Sequence, residues 1–69
     1  MTMELIINGT NMTVPSSIKT VTDLIDHLNL KSPVIIVEHN EKILQKGEHA
    51  HTMIEDGDKI EFVQFVGGG

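Results

Sequence analysis

The chain has 69 residues, no cysteine and a formal net charge of −5, with 10 acidic against 5 basic side chains. A domain this short buries only ~60% of the surface its unfolded form exposes, so one small core is expected, and the absence of thiols excludes disulfides, thiolate metal sites and a catalytic cysteine. The acidic balance argues against a phosphate-backbone ligand, and the two phenylalanines are the only aromatics, too few for a base-stacking platform. The longest apolar run, VIIV, is too short to cross a bilayer and no signal-peptide pattern opens the chain, so a cytoplasmic globular domain with neither nucleic-acid nor membrane partners is expected.

The first segment, MELIING, is apolar and β-branched and runs into Asn8 and Gly9, a pair that favours a type I′ turn because both residues tolerate positive φ. TNMTVP then returns as a strand that Pro15 ends, so residues 3–15 read as an opening β-hairpin. In TVTDLIDHLNL, Val21, Leu24, Ile25 and Leu28 fall at i, i+3, i+4 and i+7, one face of an α-helix over residues 20–28. Thr20 is placed as its N-cap, with Asp23 three residues on as a short-armed capping box. After Ser32 and Pro33, VIIVEHN reads as a buried strand, apolar on both faces at its centre.

Asn40 and Glu41 suggest a turn, and KILQKGEHAHTMI a short strand followed by irregular chain. Asp56-Gly57-Asp58 is a strong turn signal, and the last strand is expected from Lys59 to Val66. The order is ββαββ with an extra short strand. One amphipathic helix must lie across one face of the sheet, an α+β roll in residues 1–66, with Val21, Leu24, Ile25 and Leu28 packing against Leu5, Ile7, Ile36, Ile60 and Phe62.

Within KIEFVQFV, Ile60 and Phe62 alternate with Lys59 and Glu61, as in a half-buried strand. Val63 and Phe65 then share the face of Glu61, which becomes apolar toward the end of the strand. Burial by loops and a partner-facing patch are both open readings of that pair. The strand passes directly into Gly67, Gly68 and Gly69. A frayed terminus is the ordinary reading of such residues. The alternative is a tail without side chains that enters a narrow channel and delivers the Gly69 carboxylate to another protein's active site, reaching ~10 Å beyond the strand. A carboxylate is a poor electrophile until it is joined to AMP. The chain has no phosphate-binding loop of its own, so in that reading it is the substrate.

A cysteine-free acidic chain with an Asn-Gly hairpin turn, a TVTDLIDHL helix, a VIIVEHNEKI segment and the ending DGDKIEFVQFVGGG resembles the ThiS family of thiamine-thiazole sulfur carriers. The resemblance covers essentially the whole chain and implies the ubiquitin-like β-grasp fold, a mixed sheet with one main helix on one face. It further implies that an activating enzyme of the ThiF type adenylates Gly69 using ATP and magnesium. Sulfur from a cysteine desulfurase then converts Gly69 to a thiocarboxylate, and thiazole synthase takes that sulfur. A Gly-Gly ending is shared with the molybdopterin-synthase small subunit and with ubiquitin-like modifiers, so a carrier for that pathway and a lysine-conjugated modifier stand as alternatives. A β-grasp interaction module with an inert tail is the third.

Other constellations carry less. His49 and His51 fall on one side of an extended segment, but no further ligands stand at a recognisable zinc spacing, and a surface loop is the expected reading. Glu55, Asp56 and Asp58 lack the twelve-residue calcium-loop pattern and are expected to be turn residues.

Overall fold

Asn8 at φ 50° and Gly9 at φ 82° form the first turn, the pairing of positive dihedrals that a type I′ hairpin demands. The structure, a computed structural model, describes residues 1–31 and 34–65, with the side chains of Val34 and Phe65 outside that description. The turn joins β1 (Thr2–Ile7) to β2 (Thr10–Pro15), which pair antiparallel from Thr2 opposite Pro15 to Ile7 opposite Thr10. The helix α1 spans Val21–His27. Three strands complete the fold: β3 (Val34–His39), β4 (Lys42–Ile43) and β5 (Lys59–Phe65), with a 3-10 turn at Lys46–Glu48 between β4 and β5.

Both ends of α1 are held by local chemistry. Asp23 N–H donates to Thr20 Oγ1 at 3.1 Å, and Asp23 Oδ2 accepts from the backbone N–H groups of Lys19 at 3.0 Å and Thr20 at 3.1 Å. These backbone donors, Lys19 first, hold the Asp23 carboxyl below its ordinary pKa. At the other end Asn29 adopts φ 59°, its N–H donates to the Asp26 carbonyl and Leu30 N–H donates to the Ile25 carbonyl. That is a Schellman closure with asparagine in the left-handed position.

The sheet has five strands in the order β2-β1-β5-β3-β4. β5 lies at its centre, parallel to β1 and antiparallel to β3, so the sheet is mixed as expected. The parallel register covers only Ile6 with Lys59 and Ile7 with Ile60. Two turn asparagines reinforce this central strand. Asn8 Oδ1 accepts Phe62 N–H at 2.7 Å, and Asn40 Oδ1 accepts Lys59 N–H at 2.8 Å. Each asparagine thus supplies a positive φ to its turn and a hydrogen-bond acceptor to β5.

Val21 and Leu24 of α1 are fully buried, and Ile25 and Leu28 pack against the same core from its margin. Their neighbours include Leu5, Ile7, Ile60 and Phe62, as expected, together with Val14, Val37, Leu44 and Ile54. Ile36 does not belong with them. In the β3–β5 register Val37 stands opposite Phe62, on the helix side, whereas Ile36 stands opposite Val63 on the other face and is 38% exposed. An uninterrupted apolar run has no visible parity, so VIIV alone does not reveal which residues point inward. The expectation of a strand buried on both faces is corrected accordingly.

His49 also departs from the surface-loop reading. It is half-buried at the end of the 3-10 turn, where its carbonyl accepts Thr22 N–H and its Nε2 is buried without a hydrogen-bond partner. That turn and the segment after it run beside the start of α1: Val21 N–H donates to the Thr52 carbonyl and Ile54 N–H to the Lys19 carbonyl.

Candidate functional site

Among the described residues one helix covers one face of the sheet and none covers the other. Side chains directly opposite one another on paired strands share a face, so register assigns that face residue by residue. Ile36 pairs with Val63, Glu38 with Glu61, and Ile43 with Glu38. Val63 is 49% exposed and Ile43 64%. The result is an apolar patch of Ile36, Ile43 and Val63 on the uncovered face, with Glu38 and Glu61 between its members.

Val63 therefore lies where its parity with Glu61 placed it, facing outward rather than covered by loops. Phe65 pairs with Val34 through the backbone, and its side chain lies outside the described residues. Val66 and the tail residues Gly67, Gly68 and Gly69 also lie outside them. Sequence reasoning missed Ile36 and Ile43. Counting the pairing back from Val63 finds Ile36, but only once the antiparallel β3–β5 register is known.

The charged groups on the helix side have a separate role at the base of β5. Asp58 Oδ2 accepts from His39 Nε2 at 2.7 Å and from Glu55 N–H at 2.9 Å, while Oδ1 accepts from Asn40 Nδ2 at 3.1 Å. Because an ionised carboxylate only accepts, the His39 proton resides on Nε2. Burial alone would push the Asp58 carboxyl up, but the hydrogen bonds from His39, Glu55 and Asn40 together outweigh it and hold the group below its ordinary value. Asp56 Oδ1 accepts Glu4 N–H at 2.7 Å, tying the same turn to β1. The acidic turn is thus a clamp between β1, the β3–β4 turn and β5. Among the described residues no three His, Cys, Asp or Glu side chains are arranged to hold a metal ion, and no helix is long and apolar enough to cross a membrane.

A mixed five-stranded sheet with one helix on one face defines a ubiquitin-like β-grasp domain. The solved structure of a thiamine biosynthesis protein, ThiS, from Geobacter metallireducens superposes with a TM-score of 0.83 at 35% identity, over 97% of this chain and 100% of that one. The ThiS family model matches residues 5–69, and the chain belongs to that family. The sulfur carrier protein ThiS of Bacillus subtilis is 35% identical over 63 residues, which cover 91% of this chain and 96% of that protein. A thiazole synthase of Paramagnetospirillum magneticum is 40% identical over 67 residues, 97% of this chain. Here the chain spans only one-fifth of the relative's length, 20%.

Proposed function

We propose that the protein is a sulfur carrier of thiamine thiazole biosynthesis, acted on by partner enzymes rather than catalysing a reaction itself. The observation that carries this reading is the end-to-end likeness to the Bacillus subtilis carrier, together with a family match that runs through Gly69. In this reading a ThiF-type enzyme, using ATP and magnesium, joins the Gly69 carboxylate to AMP. The terminal sulfur of a persulfide, formed from cysteine by a cysteine desulfurase, attacks the acyl carbon and releases AMP, which leaves an acyl disulfide. A thiol reductant then cleaves the S–S bond, reducing that sulfur to the sulfide level and leaving the Gly69 thiocarboxylate that thiazole synthase consumes. Gly67 and Gly68 are the part of the chain that enters each active site, since a backbone without Cβ atoms fits a channel that other residues would block.

The likeness to one-fifth of a thiazole synthase supports that enzyme as the recipient: a domain like this one occurs covalently within such a protein. The uncovered face supports a docking role for Val63, because Ile36 and Ile43 extend the apolar surface that Val63 begins; alternation in the sequence extends the same role to Phe65. The absence of cysteine suits the chemistry, since no internal thiol can attack the activated acyl group.

The test is intact-mass analysis after incubation with a ThiF-type enzyme, ATP, magnesium, a cysteine desulfurase, cysteine and a thiol reductant. A sulfur-for-oxygen mass gain at Gly69 is expected. Adducts on the lysines of other proteins would select the modifier instead, and transfer of the sulfur to a molybdopterin precursor the alternative carrier. The same assay on a protein carrying one extra alanine after Gly69 gives the control. The addition moves the carboxylate by about 3.5 Å and adds a Cβ, and misplacement of even about 1 Å is costly to a positioned reaction. Thiolation of the extended protein at the parental rate would overturn the assignment to Gly69.

A further inference from the structure

The uncovered face carries a feature that the fold does not require. Glu38 and Glu61 stand directly opposite each other on β3 and β5. Like charges at such positions oppose sheet formation. Relief is slight: Lys59 Nζ lies 4.0 Å from Glu61, the outer limit of an ion pair, and Glu38 makes no ion pair among the described residues. Both glutamates point away from the core, where a neutral polar side chain would occupy the same space.

Their neighbours suggest what does require them. Ile36 and Val63 are the adjacent cross-strand pair, and Ile43 stands opposite Glu38 on its other side. If Gly69 is the reacting group, the four residues from Val66 to Gly69 reach at most about 14 Å beyond Phe65. Glu61 lies four residues before Phe65, about 13 Å back along the strand. A standard interface covers about 800 Å² on each partner, a patch roughly 28 Å across. An enzyme body that receives the tail and rests on Val63 therefore covers the acid pair as well.

We propose that the Glu38–Glu61 pair is a docking determinant for the adenylating enzyme, matched by lysine or arginine side chains of that enzyme around its apolar contact. The proposal rests on the carrier reading and names the chemistry of its first partner. Two carboxylates covered without a cation would lose hydration with nothing to replace it, so an occupant of this face must bring positive charge. A second copy of the chain fails that requirement, because a two-fold contact on this face would bring the acid pairs of both copies into one interface. The pair thus opposes self-association through the apolar patch while favouring a basic enzyme surface.

The experiment uses Glu38→Gln, Glu61→Gln and the double variant, which keep shape and remove charge. The melting temperature of the free double variant should rise by about 1–5 °C as the cross-strand repulsion is relieved. Its association rate with a ThiF-type enzyme at low salt should fall about tenfold, and the dependence of that rate on ionic strength should flatten. Association at the parental rate, with the parental salt dependence, would overturn the proposal, as would a double variant that melts below the parent. Parental protein that is not adenylated at all would overturn the carrier reading and this proposal with it. A parent that is adenylated alongside variants that associate equally well overturns this proposal alone.

Discussion

Asp58 accepts three hydrogen bonds at the base of β5, so its removal tests the clamp directly. Replacing it with alanine deletes the acceptor for His39 Nε2, Glu55 N–H and Asn40 Nδ2 together. Hydrogen bonds of this kind contribute about 0.5–1.5 kcal/mol each net, and more where one partner is charged. His39 and Asp58 are mostly buried, with side chains 19% and 14% exposed, but water still reaches the cluster, so we expect a total near about 2–3 kcal/mol. A domain of this size holds about 3–5 kcal/mol in all, and at roughly 4–8 °C per kcal/mol the melting temperature should fall by about 10–20 °C. Asp56→Ala, which removes one exposed bond to Glu4 N–H, should cost about 1 kcal/mol or less and serves as the control.

The same site predicts a pH dependence whose sign is fixed. A carboxyl held below its ordinary value of 3.8 in the folded state contributes stability that is fully present above 3.8 and is lost as pH falls through the lower folded value. Melting the parent and Asp58→Asn in parallel from neutral pH downward isolates this contribution, because the other carboxylates titrate in both. The parent should be the more stable at neutral pH, and the gap should close below 3.8. A melting temperature for Asp58→Ala within about 3 °C of the parent, or a gap that widens on acidification, would refute the reasoning.

Leu24→Ala, at a fully buried position of α1, should cost about 2–5 kcal/mol and leave the domain largely unfolded at 37 °C, as read by circular dichroism and denaturant titration. Glu41 adopts φ 72° in the turn that mirrors Asn8-Gly9, so Glu41→Gly should stabilise by about 0.5–1 kcal/mol, measured as a higher denaturant midpoint at unchanged slope. Val63→Ser, on the uncovered face, should leave melting within a few degrees of the parent yet weaken binding to the proposed adenylating partner by at least about 1 kcal/mol in calorimetry; a collapse of the fold would place Val63 in the core instead.

Local chemistry made much of this protein legible without coordinates. The Asn8-Gly9 turn, the Thr20–Asp23 capping box and the helix stripe of Val21, Leu24, Ile25 and Leu28 all follow from interactions among residues within a few positions of one another. The outward parity of Val63 follows likewise from alternation along a single strand. What required the tertiary structure was every decision that depends on which strand lies beside which. Ile36 and Val37 are chemically alike, and only pairing with Val63 and Phe62 sends one to the open face and the other to the core. Glu38 and Glu61 are 23 residues apart and become a like-charged pair only through that register. Asn8 and Asn40 read as turn residues, yet their side chains also hold β5, contacts formed across 54 and 19 positions of chain. The physical reason is that turns and caps are satisfied by neighbours in sequence. Sheet faces and long-range hydrogen bonds exist only after strands distant in the chain have been brought together.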